Sequence, residues 1–280
     1  MLNTAPNPLK RRLKNILLVL VSLYVMITAS LYFIQEKLLF LPTVLEQDYK
    51  FQFNYNFEEL NLETNDGAKL NAVHFKVKNP KGVILYFHGN AGDLSRWGTI
   101  AEYFVEKQYD VLVMDYRTYG KSKGKLSESV FYSDAQLFYN HLINSYDESE
   151  ITIYGRSLGT AIATYLASKN NPKQLILETP YYSIIDVAKS RFPVFPVEKL
   201  MRYKFLTYNF INEVNCEITM FHGTNDEIVP YKSAQKLFKV SPEKLTKLIT
   251  IEGGSHNNLS HYETYHMNIE KLLNNFGAKI

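Results

Sequence analysis

Five residues carry the clearest chemistry in this chain. Gly155-Arg156-Ser157-Leu158-Gly159 follows the apolar run Ile151 to Tyr154 and precedes Thr160-Ala161-Ile162-Ala163, a stretch of small residues at a helix start. A G-x-S-x-G pattern between a strand and a helix is a nucleophile elbow. The two glycines let the backbone turn sharply, so Ser157 projects from the strand end, and the helix N-terminus beneath it favours developing negative charge. As a bare pattern it recurs by chance, and a helix-capping serine is the competing reading. The flanking strand and helix favour the nucleophile.

A serine hydroxyl attacks a carbonyl only when a base takes its proton, so the reading requires a histidine and an acid to orient it. The chain has seven histidines. His74 lies in a strand, His141 on a helix, His88 and His222 at strand ends before glycines, and His261 and His266 in the last helix. His256 alone, within Gly253-Gly254-Ser255-His256-Asn257, occupies a Gly-rich loop after the last strand, from which an imidazole can bend back to Ser157. In chain order the acid falls between serine and histidine. Asp226, in His222-Gly223-Thr224-Asn225-Asp226, is the best candidate; its neighbour Glu227 would point away, and Glu178 at an earlier strand end is the alternative. A turn or capping role would be preferred for Asp226 if it stood alone. Such a base must be neutral to work, so hydrolysis is expected to fall in mild acid.

Acyl transfer also needs donors for the oxyanion. The backbone N–H of Leu158, which follows the nucleophile, is one candidate. The second is the N–H of Asn90 in His88-Gly89-Asn90-Ala91-Gly92, a loop that can also cap the helix starting near Asp93.

These loops need a scaffold, and the chain supplies one. Gly82–Phe87, Val111–Asp115, Ile151–Tyr154, Leu175–Glu178, Glu217–Phe221 and Leu248–Ile251 are short apolar runs, as expected of strands buried on both faces. Leu94–Lys107, Ser127–Asn144, Leu158–Ser168, Lys232–Lys239 and Leu259–Asn275 have helical spacing between them, which predicts a mostly parallel α/β sheet. Ahead of these, Glu58–Glu63 and Lys69–Val77 read as a hairpin turned at Asn65-Asp66-Gly67. Between Glu178 and Glu217 no strand is evident. Aromatic residues and prolines crowd there instead, which predicts a short helical insertion at about 180–214 over the end of the sheet.

The N-terminus is of another kind. Between Lys14 and Glu36 lie 21 residues without a charge, enough at ~1.5 Å per residue to span the ~30 Å hydrocarbon core of a bilayer. Lys10, Arg11, Arg12 and Lys14 precede the run, so the positive-inside rule predicts a cytoplasmic N-terminus and an exoplasmic or periplasmic remainder. A cleaved signal peptide or a core helix are the alternatives. The run continues through Ile34, further than a cleaved signal needs, and the basic flank argues against a core helix. The predicted order is a basic flank (1–14), an anchor (15–36), an aromatic, irregular connector (37–57) and one catalytic domain (58–280).

Of the 280 residues, 46% are apolar and 21% charged, the balance of a folded chain. The net charge of +3 does not indicate nucleic acid binding: the first 14 residues carry +4, leaving 27 basic against 28 acidic residues. The single cysteine, Cys216, excludes an intrachain disulfide framework. No HExxH, phosphate-binding Gly-rich loop or G-x-G-x-x-G after a strand is found, so no metal and no cofactor is expected.

The blocks His88-Gly89-Asn90-Ala91-Gly92, Asp115-Tyr116-Arg117-Thr118-Tyr119-Gly120-Lys121-Ser122, Gly155-Arg156-Ser157-Leu158-Gly159, His222-Gly223-Thr224-Asn225-Asp226 and Gly254-Ser255-His256-Asn257 resemble the α/β-hydrolase superfamily. More narrowly, they are similar to a membrane-anchored branch of serine hydrolases that includes cell-polarity proteins and protein depalmitoylases. The likeness runs from about Leu38 to the C-terminus. Thr118 stands where the family usually has Gly, and Ser255 separates Gly254 from His256. The resemblance implies that 115–122 forms a loop near the site, with Arg117 open to a structural ion-pair role. It implies the fold and a Ser157, His256 and Asp226 triad, which is read here as that of an ester or thioester hydrolase; the aromatic insertion and the bilayer next to it point to a small-molecule or lipid-like acyl substrate. A peptidase or amidase on the same fold and a non-catalytic, membrane-tethered binding protein are the rival functions. The sequence does not bear on oligomeric state.

Overall fold

The structure, a computed structural model, describes residues 8–274. Residues 1–7 of the basic flank and Asn275, the expected end of the last helix, lie outside the described residues.

A 32-residue helix, α1 (Pro8–Leu39), opens the described chain and is long and apolar enough to cross a membrane. The connector that follows is more ordered than its irregular sequence suggests. Leu41–Pro42 (β1) runs parallel to Ala91–Gly92 (β5), and Leu41 N–H donates to Asn90 O at 2.9 Å. A two-residue strand has no periodicity to announce it. The other strands are β2 (Phe57–Glu63), β3 (Lys69–Phe75), β4 (Val83–Phe87), β6 (Asp110–Met114), β7 (Ile151–Arg156), β8 (Gln174–Glu178), β9 (Glu217–Gly223) and β10 (Thr246–Ile251). They form one sheet in the order β10-β9-β8-β7-β4-β6-β3-β2. The β2–β3 and β3–β6 pairs are antiparallel and the rest parallel. Gly67 takes a φ of +78° in the β2–β3 turn, as an Asp-Gly hairpin requires.

Because side chains alternate across a strand, each central strand feeds two cores. Leu85, Phe87, Ile153, Leu175 and Leu177 face one side, where α3 (Glu128–Leu142), α4 (Gly159–Lys169) and α8 (Tyr231–Val240) contribute apolar residues. Ile84, Tyr86, Tyr154 and Ile176 face the other, with α2 (Leu94–Val105) and α9 (Glu263–Asn274). Side-chain oxygens start two of the helices: Asp93 accepts from Ser95 N–H at 2.7 Å before α2, and Ser183 from Asp186 N–H at 3.0 Å before α5 (Ile184–Arg191). The last predicted helix is split. Leu259–His261 forms a 3-10 turn that carries His261, and the α-helix begins at Glu263.

Between β8 and β9 the chain forms α5 (Ile184–Arg191), α6 (Val197–Leu200) and α7 (Thr207–Phe210). This topology also locates a crevice. After β4 the chain crosses to β6 on one side and later returns through β7 on the other, so the loops leaving β4 and β7 diverge at their carboxyl ends.

Candidate active site

Ser157 stands in that crevice, immediately after β7, with a φ of +50°. This left-handed conformation is costly for a non-glycine residue and holds the side chain out of the strand. The glycines on either side are required by close approach. A Cβ on Gly159 would lie 2.1 Å from Phe87 O, and one on Gly155 would lie 2.6 Å from Gly159 O. Hydrogen at 159 therefore lets the elbow fit against the end of β4, and hydrogen at 155 lets the strand end close against the start of α4.

The loops after β9 and β10 converge on Ser157. Ser157 Oγ lies 2.9 Å from His256 Nε2, and His256 Nδ1 lies 2.8 Å from Asp226 Oδ2. A carboxylate accepts only, so Nδ1 carries the imidazole proton and Ser157 donates to the bare Nε2. The other carboxylate oxygen of Asp226 accepts from the N–H groups of Ile228 and Val229, both at 2.8 Å. Burial pushes the Asp226 carboxyl up, but hydrogen bonds from His222 and His256 outweigh it and hold the group well below the usual carboxylate range. His222 braces the acid: its Nε2 lies 2.9 Å from Val229 O and 3.3 Å from Asp226 Oδ2. The loop carrying His256 is folded by Asn258, whose side chain accepts from Ser255 N–H at 2.7 Å.

Glu178, the alternative acid, is committed elsewhere. It meets Arg156 at 3.2 Å and accepts from the Tyr154 hydroxyl, which in turn contacts the Tyr265 hydroxyl at 2.9 Å. Arg156, within the elbow, thus joins β7 to β8 beneath the serine. Glu227 forms no hydrogen bond or ion pair with His256 among the described residues; its carbonyl accepts from Arg191 at 2.6 Å.

Leu158 and Asn90 both line the cavity that holds Ser157. The loop carrying Asn90 is braced from beneath by 115–122, a role sequence spacing did not reveal. Tyr116 donates to His88 O at 2.7 Å and Tyr119 to Asn90 O at 2.8 Å, while His88 Nε2 lies 3.2 Å from Asp115 Oδ1. Thr118 takes a φ of +74°, a left-handed conformation that favours glycine. Arg117 is an ion-pair partner, with Asp134 at 2.8 Å and Asp66 at 2.6 Å. The cavity measures about 510 Å³ and is walled by α1 as well as the insertion: Leu38, Leu39, Ala188 and Phe192 all line it. Among the described residues, no cluster of three or more His, Cys, Asp or Glu could hold a metal ion.

A mostly parallel sheet carrying a serine elbow at its switch point, with histidine and acid on the loops after later strands, defines the α/β-hydrolase class. A family model described as serine aminopeptidase, S33, matches residues 78–208. The membrane protein YNL320W of Saccharomyces cerevisiae is 32% identical over 214 residues, covering 72% of this chain and 74% of its own. The lysophosphatidylserine lipase ABHD12 of Danio rerio is 27% identical, covering 83% of this chain and 73% of its own. Among solved structures, the Pyrococcus furiosus esterase Pf2001 superposes with a TM-score of 0.65 at 16% identity, over 83% of this chain and 98% of that one. The chain belongs to the α/β-hydrolase family related to bem46 and the ABHD proteins. The apolar α1 and a relative named as a membrane protein point to membrane association.

Proposed function

We propose that this chain is a membrane-anchored serine hydrolase that cleaves a carboxylic ester or thioester, with an apolar acyl group, through an acyl-enzyme on Ser157. The observation that carries the reading is the hydrogen-bonded line Ser157–His256–Asp226, at 2.9 and 2.8 Å, opening into a cavity with apolar walls. His256 Nε2 takes the Ser157 proton as Oγ bonds to the acyl carbon. The carbonyl electron pair moves onto oxygen, where the N–H groups of Leu158 and Asn90 stabilise it. The tetrahedral intermediate collapses, the bond to the alcohol or thiol breaks, and His256 delivers its proton to that leaving group. Water, deprotonated by the same imidazole, then attacks the acyl-enzyme and frees the acid. Asp226 holds the ring and stabilises the imidazolium. No cofactor takes part in this scheme.

The lipase name of ABHD12 supports a lipid-like substrate. The basic residues Lys10 to Lys14 support a cytoplasmic N-terminus with the catalytic domain on the exoplasmic or periplasmic side. A peptidase is the second reading, favoured by the description of the family model. Turnover of acetyl, medium and long acyl esters and thioesters, beside a peptide panel, tests both. Long acyl esters turned over best, and not by Ser157→Ala, is the expected outcome. A sharp preference for acetyl contradicts the lipid-like substrate, and peptide cleavage without ester cleavage replaces the esterase with the peptidase.

A further inference from the structure

A second space adjoins the active-site cavity. Leu38 and Leu39 of α1 and Ala188 and Phe192 line both, and the second, smaller at about 90 Å³, extends to Leu31, Phe195 and Met201. Leu31 lies eight residues before Leu39, or ~12 Å back along the helix, so the two spaces together run from Ser157 along α1 towards its apolar run. Gln35 is the one polar side chain in the lining of the second space. Its amide is spent on the walls, donating to Tyr32 O at 2.7 Å and Leu200 O at 3.2 Å and accepting from Arg202 N–H at 2.7 Å. Nothing polar there is left to select a polar ligand.

The wall opposite α1 is the turn Phe192-Pro193-Val194-Phe195-Pro196, between α5 and α6. The Tyr24 ring stacks on Phe195 at 5.5 Å, and the Tyr24 hydroxyl donates to Val194 O at 3.2 Å. Tyr24 is ten residues before Ile34, or ~15 Å along the helix, half the depth of a ~30 Å hydrocarbon core. A helix spanning the bilayer therefore carries this turn into one leaflet. Its outward side chain suits that position: Val194 is 72% exposed. Closer to the site, the arrangement is pinned by Glu36, which accepts from the Tyr203 hydroxyl at 2.8 Å and pairs with Arg202 at 3.2 Å.

We propose that α1 is part of the substrate site as well as an anchor: the groove between α1 and the α5–α6 turn holds the acyl chain of a membrane lipid, which enters sideways from the leaflet and presents its ester or thioester carbonyl to Ser157. This rests on the serine hydrolase reading. A lipid chain reaching the site this way stays out of water along its whole path, and the apolar walls gain contact with each methylene.

The test uses the full chain in phospholipid nanodiscs and a hexadecyl fluorophosphonate with a diazirine near the end of its chain. Ser157 displaces fluoride and becomes phosphonylated, photolysis cross-links the chain end, and peptide mapping locates both bonds. Phosphonyl on Ser157 with cross-links at Leu31, Phe195 or Met201 is the expected result. Phosphonyl on Ser157 with cross-links elsewhere, such as the 224–230 loop, overturns the groove alone, whereas no adduct on Ser157 overturns the hydrolase reading and the groove with it. In addition, Leu31→Trp lowers the ratio of palmitoyl to butanoyl ester turnover by about tenfold, the loss of contact to a few methylenes. Val19→Trp, 65% exposed and turned about 120° around α1 from Leu31, leaves the ratio unchanged. An unaltered ratio in Leu31→Trp also overturns the groove.

Discussion

Replacing Gly159 by Ala tests how the elbow is held against β4. The added Cβ would lie 2.1 Å from Phe87 O, 2.6 Å from Phe87 C and 2.9 Å from His88 O. All three are backbone atoms, so no side chain can swing aside, and carbon contacts settle near ~3.5–4.0 Å. The elbow and the end of β4 must therefore part by at least about 1 Å. Overpacking of this kind costs ~1–3 kcal/mol, which at roughly 2–4 °C per kcal/mol lowers Tm by about 2–12 °C. The kinetic effect is larger in proportion. Phe87 leads into the loop that carries Asn90, while Gly159 follows Leu158, so the separation spreads the two proposed oxyanion donors. A misplacement of ~1 Å costs ~10²-fold, and a donor lost outright costs ~10²–10³ in rate. Steady-state kinetics on a long-chain ester with thermal unfolding alongside reads both effects: kcat/KM falls at least about 100-fold, mostly in kcat. Gly67→Ala is the control. Its φ is +78° but nothing lies within 4 Å of the new Cβ, so it loses only about 1 kcal/mol or somewhat more from backbone strain and keeps full activity. Wild-type Tm and kcat/KM in Gly159→Ala would refute the close-approach argument.

Other perturbations probe other contacts. Asp226→Asn leaves the shape of the loop but no longer holds the His256 tautomer with a charge, and kcat drops by about 10⁴-fold; a loss below tenfold on a folded variant contradicts its role. Arg156→Gln strands Glu178, which is buried at 3% exposure, and costs ~3–5 kcal/mol. Chemical denaturation measures this, and Glu178→Gln in the same chain recovers part of the loss; no recovery contradicts the pairing. Stability has an acid limb. The folded Asp226 carboxyl lies below its unfolded value of ~3.9, so its contribution is fully present above that pH and is lost as pH falls towards the folded value. The stability gap between wild type and Asp226→Asn thus narrows below about pH 4, and a gap constant into stronger acid contradicts the shift.

Much of this architecture is legible in the sequence because the strands are buried on both faces. Gly82–Phe87 and Ile151–Tyr154 read as short apolar runs and fold as the strands Val83–Phe87 and Ile151–Arg156, and their ends carry the Gly-rich blocks that mark the site. The order of those blocks directs attention to Ser157, Asp226 and His256, which the structure brings within hydrogen-bonding distance. What escaped depends on register and on long-range packing. Glu178 stays open as an acid until β7 and β8 pair Arg156 with Glu178 directly. Tyr116 and Tyr119 read as two aromatics in a loop, and only the fold turns their hydroxyls to the carbonyls of His88 and Asn90. His222 looked like a strand end, although its place four residues before Asp226 is a signal that could have found it. The apolar N-terminus reads as an anchor from composition, but its use as a wall of the active-site cavity depends on how α1 lies against α5 and α6.

The central claim is that Ser157 is the nucleophile, and fluorophosphonate labelling tests it most directly. Wild-type protein in nanodiscs is expected to take up one phosphonyl group, mapped to Ser157, with loss of ester hydrolysis in step with labelling. Ser157→Ala, folded to the same Tm within a few degrees, should take up none. A folded wild-type protein that is not labelled, or a Ser157→Ala variant labelled as fast as wild type, would contradict the account.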